Sequence, residues 1–140
     1  MSHLERNAFS VPQIDPHYVT ELLARLVTID SVNPTLVDGG AGEAEIAHFV
    51  ARELRGFGMD VTLLETEHGR VNVVGIRKGR GGGRSLMLYG HLDTVGVVGM
   101  YRPLTPVIET TRMYGRGTYD YERRVGSLRR RRQSAPRSRH

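Results

Sequence analysis

The chain has 140 residues, the usual size of one domain, and 39% of them are hydrophobic. It contains no cysteine, which excludes disulfides and thiolate metal sites, so that any metal must be held by His, Asp or Glu. The net charge of +5 and the pI near 10.1 are typical of nucleic-acid-binding proteins. The charge is unevenly distributed, however, because residues 121–140 contain eight Arg and one Glu. The other 120 residues contain twelve basic and fourteen acidic residues. The basic excess therefore belongs to the tail, and the rest of the chain is mildly acidic.

Neither a signal peptide nor a membrane span is indicated. Residues 1–15 lack an apolar signal core, and no apolar run approaches the ~20 residues that a bilayer requires. The sequence therefore predicts a soluble cytoplasmic protein without membrane contact.

Two helices are predicted after a flexible arm at residues 1–14. Asp15-Pro16 is a typical helix start, because Asp caps free N–H groups and Pro suits the first turn. The first helix has an apolar stripe at helical spacing that we expect in the core: Val19, Leu22, Leu23, Leu26 and Val27. The second covers residues 43–55 and is expected to stop at a left-handed Gly56. Its expected buried stripe is Ile46, Phe49, Val50 and Leu54, with His48 as a partly exposed helix residue rather than a ligand.

Three strands are predicted next, at residues 58–65, 70–78 and 85–89, the last of them apolar and buried. The glycine-rich residues 79–84 could cradle a phosphate, but such loops open a helix, whereas this one leads into a strand, so a hairpin-type connection is favoured. Residues 102–111 contain two prolines and indicate an extended loop or an edge segment, and residues 110–114 indicate a short strand. The pattern predicts an α/β fold with helices packed on a mixed sheet.

A histidine and a carboxylate follow the third predicted strand, at His91 and Asp93. Ligands bind just outside the carboxyl ends of strands in open α/β sheets. Imidazole is a common metal ligand, and a neighbouring carboxylate can accept its other N–H and fix the ring. A single His-x-Asp is a weak motif, however, and an ordinary strand end with solvated side chains remains the alternative.

A second motif, Gly115-Arg116-Gly117-Thr118-Tyr119-Asp120, follows Gly90-His91-Leu92-Asp93-Thr94-Val95 at a distance typical of a known family. With Ser31-Val32-Asn33-Pro34, Gly42-Glu43 and Arg70-Val71-Asn72-Val73 in the same order, residues 15–120 resemble the co-catalytic zinc amidohydrolases. These include acetylornithine deacetylase, succinyl-diaminopimelate desuccinylase, aminoacylase and the glutamate carboxypeptidases.

The resemblance implies the amino-terminal part of a metallopeptidase-like catalytic domain. It implies that His91 is a terminal ligand and Asp120 the bridging ligand of two Zn²⁺ ions, with Co²⁺ as a substitute, and that Asp93 orients the His91 ring. It implies cleavage of an amide bond in an N-acyl amino acid or a peptide, often by a homodimer. The loop at residues 30–42 would lie near the active-site mouth or form a surface connection. Arg116 would be a salt-bridge partner or solvated.

The rest of the family's machinery has no counterpart in this sequence. A Glu pair that supplies the general base and a ligand, two later ligands and the dimerisation domain are all missing. We therefore expect weak or absent metal binding and no activity from these 140 residues.

Residues 121–140 depart from the family pattern and are expected to be disordered. One codon set for Tyr121-Glu122-Arg123-Arg124-Val125 is TAT GAA AGG CGG GTT. Without its first base it reads Met-Lys-Gly-Gly, the family's continuation, and CGC arginine codons become GCC alanine codons in the same shift. We therefore expect an out-of-frame tail. The alternative is an Arg-rich arm that binds nucleic acid non-specifically through phosphates.

Overall fold

The computed structural model describes residues 13–118. Asp120, the Arg-rich tail at residues 121–140 and all but the last two residues of the expected arm lie outside this range. The described elements are α1 (Pro16–Thr28), α2 (Ala44–Gly56), β1 (Asp60–Glu67), β2 (Arg70–Ile76), β3 (Val107–Glu109) and β4 (Arg112–Tyr114).

Helix α1 begins where the sequence predicts. The Asp15 side chain accepts a hydrogen bond from the His17 N–H at 2.9 Å, and Pro16 occupies the first turn. The predicted core stripe is only partly confirmed, because Val27 is buried whereas Val19 and Leu23 are 48% and 37% exposed. These two side chains line an open groove facing β3 and β4 instead of entering the core.

Helix α2 supplies most of the core. Its residues Ile46 and Phe49 cluster with Ile29, and Leu22, Leu26, Val50 and Leu92 pack around them. The helix also packs on β1 and β2. His48 is exposed, as predicted. The predicted helix stop at Gly56 is wrong, because Gly56 is still helical and the left-handed glycine is Gly58, at φ 72°.

The first two predicted strands are confirmed as the antiparallel pair β1 and β2, with Leu63 opposite Val73. Gly69, at φ 75°, makes the turn between them. The predicted short strand at residues 110–114 is found as β4, which pairs antiparallel with β3.

The predicted buried strand at residues 85–89 is wrong. Residues 79–90 have no regular secondary structure, and the side chains of Leu86, Met87, Leu88 and Tyr89 are 82–87% exposed. A buried strand needs neighbouring strands and covered faces, and no described strand pairs with this segment. The favoured hairpin connection at residues 79–84 is wrong for the same reason.

The mixed α/β character is confirmed, but the single mixed sheet is not. Among the described residues the strands form two separate two-stranded antiparallel sheets. The parallel pairing in residues 13–118 is one isolated bridge between Val32 and Thr94. Neither helix in this range has the length and apolar character needed to cross a bilayer.

Candidate metal centre

His91 and Asp93 lie beside each other where the irregular segment rejoins the core. Leu92, between them, packs against the core cluster and so anchors this short stretch. His91 Nδ1 lies 3.0 Å from the carbonyl oxygen of Asp93 and 3.2 Å from its carboxylate oxygen Oδ1. Both neighbours are acceptors, so Nδ1 carries the proton. A metal ion would therefore bind this ring through Nε2.

The Asp93 carboxylate is held from its other side by Asn33. The Asn33 side-chain N–H donates to Asp93 Oδ2 at 2.7 Å. This hydrogen bond lowers the pKa of Asp93, burial opposes the shift, and the neighbouring His91 adds to the lowering. Asp93 is therefore held as a carboxylate, the form that accepts from an imidazole N–H.

Asn33 lies at the start of the loop at residues 30–42, which begins as a buried segment. Ser31, Val32 and Asn33 are buried, whereas Thr35 and Leu36 are exposed. The first part of this loop therefore contacts the candidate centre, and its middle part, residues 35–39, is a largely exposed surface connection. The sequence had left these two interpretations open.

The backbone joins the loop to the segment after Asp93. Thr94 donates its N–H to the carbonyl of Ser31, and Asn33 donates its N–H to the carbonyl of Thr94, both at 2.9 Å. These two hydrogen bonds form the parallel bridge and bring the Asn33 side chain next to Asp93.

Arg116, from the second sequence motif, is buried and contacts the segment that follows Asp93. Its Nη1 donates to Thr94 Oγ1 at 2.5 Å and to Asp30 Oδ1 at 3.2 Å, and its Nη2 donates to the Ile29 carbonyl. Burial lowers the pKa of Arg116, and Asp30 opposes that shift. Of the two alternatives from the sequence, the structure therefore shows the salt-bridge partner.

The glycines on either side of Arg116 allow a tight path. A Cβ on Gly115 would come within 2.6 Å of Val27 Cγ1, and Gly117 has a φ of 78°. The Arg116 N–H also donates to the Pro103 carbonyl at 2.9 Å. The second motif is thereby held against α1 and the bridge.

One ligand position fits a metal in the described part of the chain. The His91 imidazole, with its Nδ1 proton held by Asp93, has the chemistry of a metal ligand. No group of three or more His, Asp or Glu side chains that could hold a metal occurs within residues 13–118. Asp120, the second predicted ligand, lies outside that range, so its proximity to His91 and the roles of both residues stay predictions.

Three polar residues near the centre had no chemical role in the sequence interpretation: Asn33, Glu43 and Arg70. They were part of the ordered segments that carry the family resemblance. Their place in these segments was the available signal that they lie near the centre, because a lone Asn, Glu or Arg has no spacing pattern that would indicate a role.

Comparisons with known proteins give three relatives, while no family model matches the sequence. The chain is 30% identical to acetylornithine deacetylase of Aliivibrio salmonicida over 114 residues, 79% of this chain and 28% of that protein. It is 30% identical to an uncharacterized metallohydrolase of Methanocaldococcus jannaschii over 122 residues, 76% of this chain and 29% of that protein. It is 33% identical to carboxypeptidase G2 of Pseudomonas sp. over 108 residues, 73% and 24% respectively. The chain thus spans under a third of each relative, and the matches confirm the resemblance drawn from the motifs.

Proposed function

We propose that this chain, which is similar to acetylornithine deacetylase and carboxypeptidase G2, forms the amino-terminal part of a metal-dependent amide hydrolase. The observation that carries the proposal is the contact between His91 Nδ1 and the Asp93 carboxylate, 3.2 Å apart, in a chain related to metallohydrolases. The substrate class would be an N-acyl amino acid or a peptide.

In this proposal His91, through Nε2, and Asp120 would hold the metal, which is zinc, two ions per site, with cobalt as a substitute. When bound, such ions supply polarisation of the substrate's amide carbonyl. Asp93 keeps the proton on His91 Nδ1 and so fixes which ring nitrogen faces the metal. Leu92 holds the backbone of this stretch against the core.

The proposal also covers the boundaries of the unit. Residues 15–120 would be the native part of the catalytic domain, and residues 121–140 would be read out of frame. The remaining ligands and the general base would be encoded in the restored frame. We therefore expect no amide hydrolysis by the 140-residue chain.

The test uses the gene with one base removed at the Asp120–Tyr121 junction. The frame-restored protein should hydrolyse N-acyl amino acids or peptide bonds in the presence of Zn²⁺ or Co²⁺, and chelation should abolish the reaction. His91→Ala should lower the rate by about 100-fold or more, because it removes a metal ligand.

His48→Ala is the matched control, because His48 is an exposed imidazole on α2. It should leave the rate unchanged. Hydrolysis that survives chelation, or equal losses in the two variants, would contradict the proposal.

A further inference from the structure

We propose that Asn33 is a positioning residue that sets the tautomer of His91 by holding the Asp93 carboxylate. The value of this role to the protein rests on the proposed function, in which His91 is a metal ligand and needs a defined tautomer. The geometry that supports it lies entirely within the described residues.

The orientation of the Asn33 amide is fixed by its acceptor side. Asn33 Oδ1 lies 2.9 Å from the Thr35 N–H, 2.6 Å from the Thr35 hydroxyl and 3.2 Å from Arg70 Nη1. The backbone N–H and the guanidinium can only donate, so the atom that they share must be the amide oxygen. The amide nitrogen is therefore the group that faces Asp93.

Arg70 is held in turn by a buried carboxylate. Its Nε lies 2.6 Å from Glu43 Oε2, an ion pair whose alignment is not that of a hydrogen bond. The Glu43 backbone N–H also donates to the Gly69 carbonyl at 3.2 Å, which connects the start of α2 to the β1–β2 turn. A buried charge is retained when it is paired, so this ion pair is a fixed support for the amide.

The two oxygens of Asp93 are thereby divided between two partners. Oδ2 accepts from Asn33 at 2.7 Å, and Oδ1 faces His91 Nδ1 at 3.2 Å. Without the Asn33 donor the carboxylate could rotate and take its hydrogen bonds from water. The Asp93 carbonyl oxygen, 3.0 Å from His91 Nδ1, would remain as the second acceptor, so Asn33 controls one of the two acceptors that hold the proton on Nδ1. The polar contacts thus run without interruption from Glu43 through Arg70, Asn33 and Asp93 to His91.

A purely structural role for Asn33 makes a different prediction. Its oxygen also caps the turn at Thr35, and loss of that function would loosen the loop without any specific effect on an imidazole 60% exposed at its side chain. The readout must therefore be the protonated nitrogen of His91 itself.

The experiment labels the full 140-residue chain with ¹⁵N-histidine and records two-bond nitrogen–proton correlations. Spectra are taken at about pH 8.5, where an ordinary imidazole is neutral. The chain has six histidines, and His91→Gln assigns the His91 signals by their loss. In the parent protein His91 should be the Nδ1–H tautomer.

Two variants separate positioning from structure. Asn33→Asp keeps an acceptor for Thr35 and Arg70, removes the donor to Asp93 and places a second carboxylate beside it, and the repulsion between the two charges also drives the Asp93 carboxylate out of its position. Thr35→Val removes one hydroxyl contact and leaves the donor in place. Asn33→Asp should lower the ratio of Nδ1–H to Nε2–H by about three- to tenfold, the effect of weakening one of the two acceptors of that proton, and Thr35→Val should leave the ratio unchanged.

Asn33→Ala, with its helix content checked by circular dichroism, should shift the ratio in the same direction. An unchanged tautomer in Asn33→Asp or Asn33→Ala, or an equal shift in Thr35→Val, would overturn the proposal. The readout requires neither metal nor activity. If the frame-restored protein proves inactive while the tautomer still depends on Asn33, the proposed function fails and the positioning role stands.

Discussion

Arg116 and Thr94 are 22 positions apart in the sequence, yet Arg116 Nη1 donates to the Thr94 hydroxyl at 2.5 Å. This contact joins the two sequence motifs of the candidate centre. The same guanidinium reaches Asp30 and the Ile29 carbonyl, so one side chain ties together three stretches of chain.

Replacement of Arg116 should therefore destabilise the described fold. Arg116→Met leaves a buried carbonyl and a hydroxyl without their donor, and we expect a loss of about 2–3 kcal/mol in the free energy of unfolding. Arg116→Lys should recover only part of it, because an ammonium cannot reproduce the planar fork. Urea unfolding measures both, with Arg112→Met, on the exposed Arg112 of β4, as a control expected within about 0.5 kcal/mol of the parent. Equal losses in the two Met variants would contradict the assignment.

Gly115→Ala should clash with α1. The added Cβ would lie 2.6 Å from Val27 Cγ1, so the helix or the motif must shift, at a cost of about 1–3 kcal/mol. Val27→Ala in the same chain should remove most of this cost, which a double-mutant cycle by thermal unfolding would detect. Gly79→Ala is the control, since a Cβ there meets nothing within 4 Å. Additive effects of Gly115→Ala and Val27→Ala would show that the clash is absent.

The exposed apolar segment at Leu86, Met87, Leu88 and Tyr89 should make the chain self-associate. Contiguous exposed apolar residues favour intermolecular contact and binding of hydrophobic dyes. Leu86→Lys combined with Leu88→Lys should reduce dye fluorescence and light scattering several-fold. Leu36→Lys, at an isolated exposed leucine, should change neither. A monomeric, dye-negative parent chain would disprove this prediction.

The Arg-rich tail should bind polyanions in a salt-dependent way. Its eight Arg neutralise phosphates and release counterions, so the affinity for DNA should fall steeply as salt rises. A chain that ends at Asp120 should lose this binding and keep the circular dichroism spectrum of the folded part. Fluorescence anisotropy with unrelated DNA sequences is the measurement. A marked preference for one sequence would favour an evolved arm over an out-of-frame tail.

The nucleotide sequence tests the reading frame directly. Removal of one base at the Asp120–Tyr121 junction should open a long frame that begins Met-Lys-Gly-Gly. An alanine-rich helix, adjacent glutamates, a further acidic residue and a late histidine should follow. A stop within a few codons of that frame would rule out the frameshift.

Local patterns in the sequence were sufficient for α1, α2, β1 and β2. Capping by Asp15, the 3.6-residue period of Ile46 and Phe49, and the alternation in β1 are all encoded within each element. The prediction of a strand at residues 85–89 was wrong because apolar composition indicates only that a segment can be buried. It does not show which strands or helices would cover the segment. A buried strand is defined by its neighbours, and no described strand pairs with this one.

The candidate centre was predictable in its chemistry but not in its support. His91 and Asp93 are two positions apart, so their contact follows from local geometry. Asn33 reaches Asp93 across 60 residues, and Arg116 reaches Asp30 across 86. Such contacts depend on how the loop and the motifs pack against each other, and this packing cannot be predicted from any single segment of the sequence.

The parallel bridge between Val32 and Thr94 has a consequence for the order of folding. The β1–β2 hairpin closes through neighbouring residues, whereas the bridge must bring together segments that are 62 positions apart in the numbering. Loop closure over that distance is entropically costly, so the hairpin and α2 should form early and the bridge late. The amide protons of Asn33 and Thr94 should then exchange with solvent sooner than those at the middle of β1, because the segment that carries the candidate centre opens first.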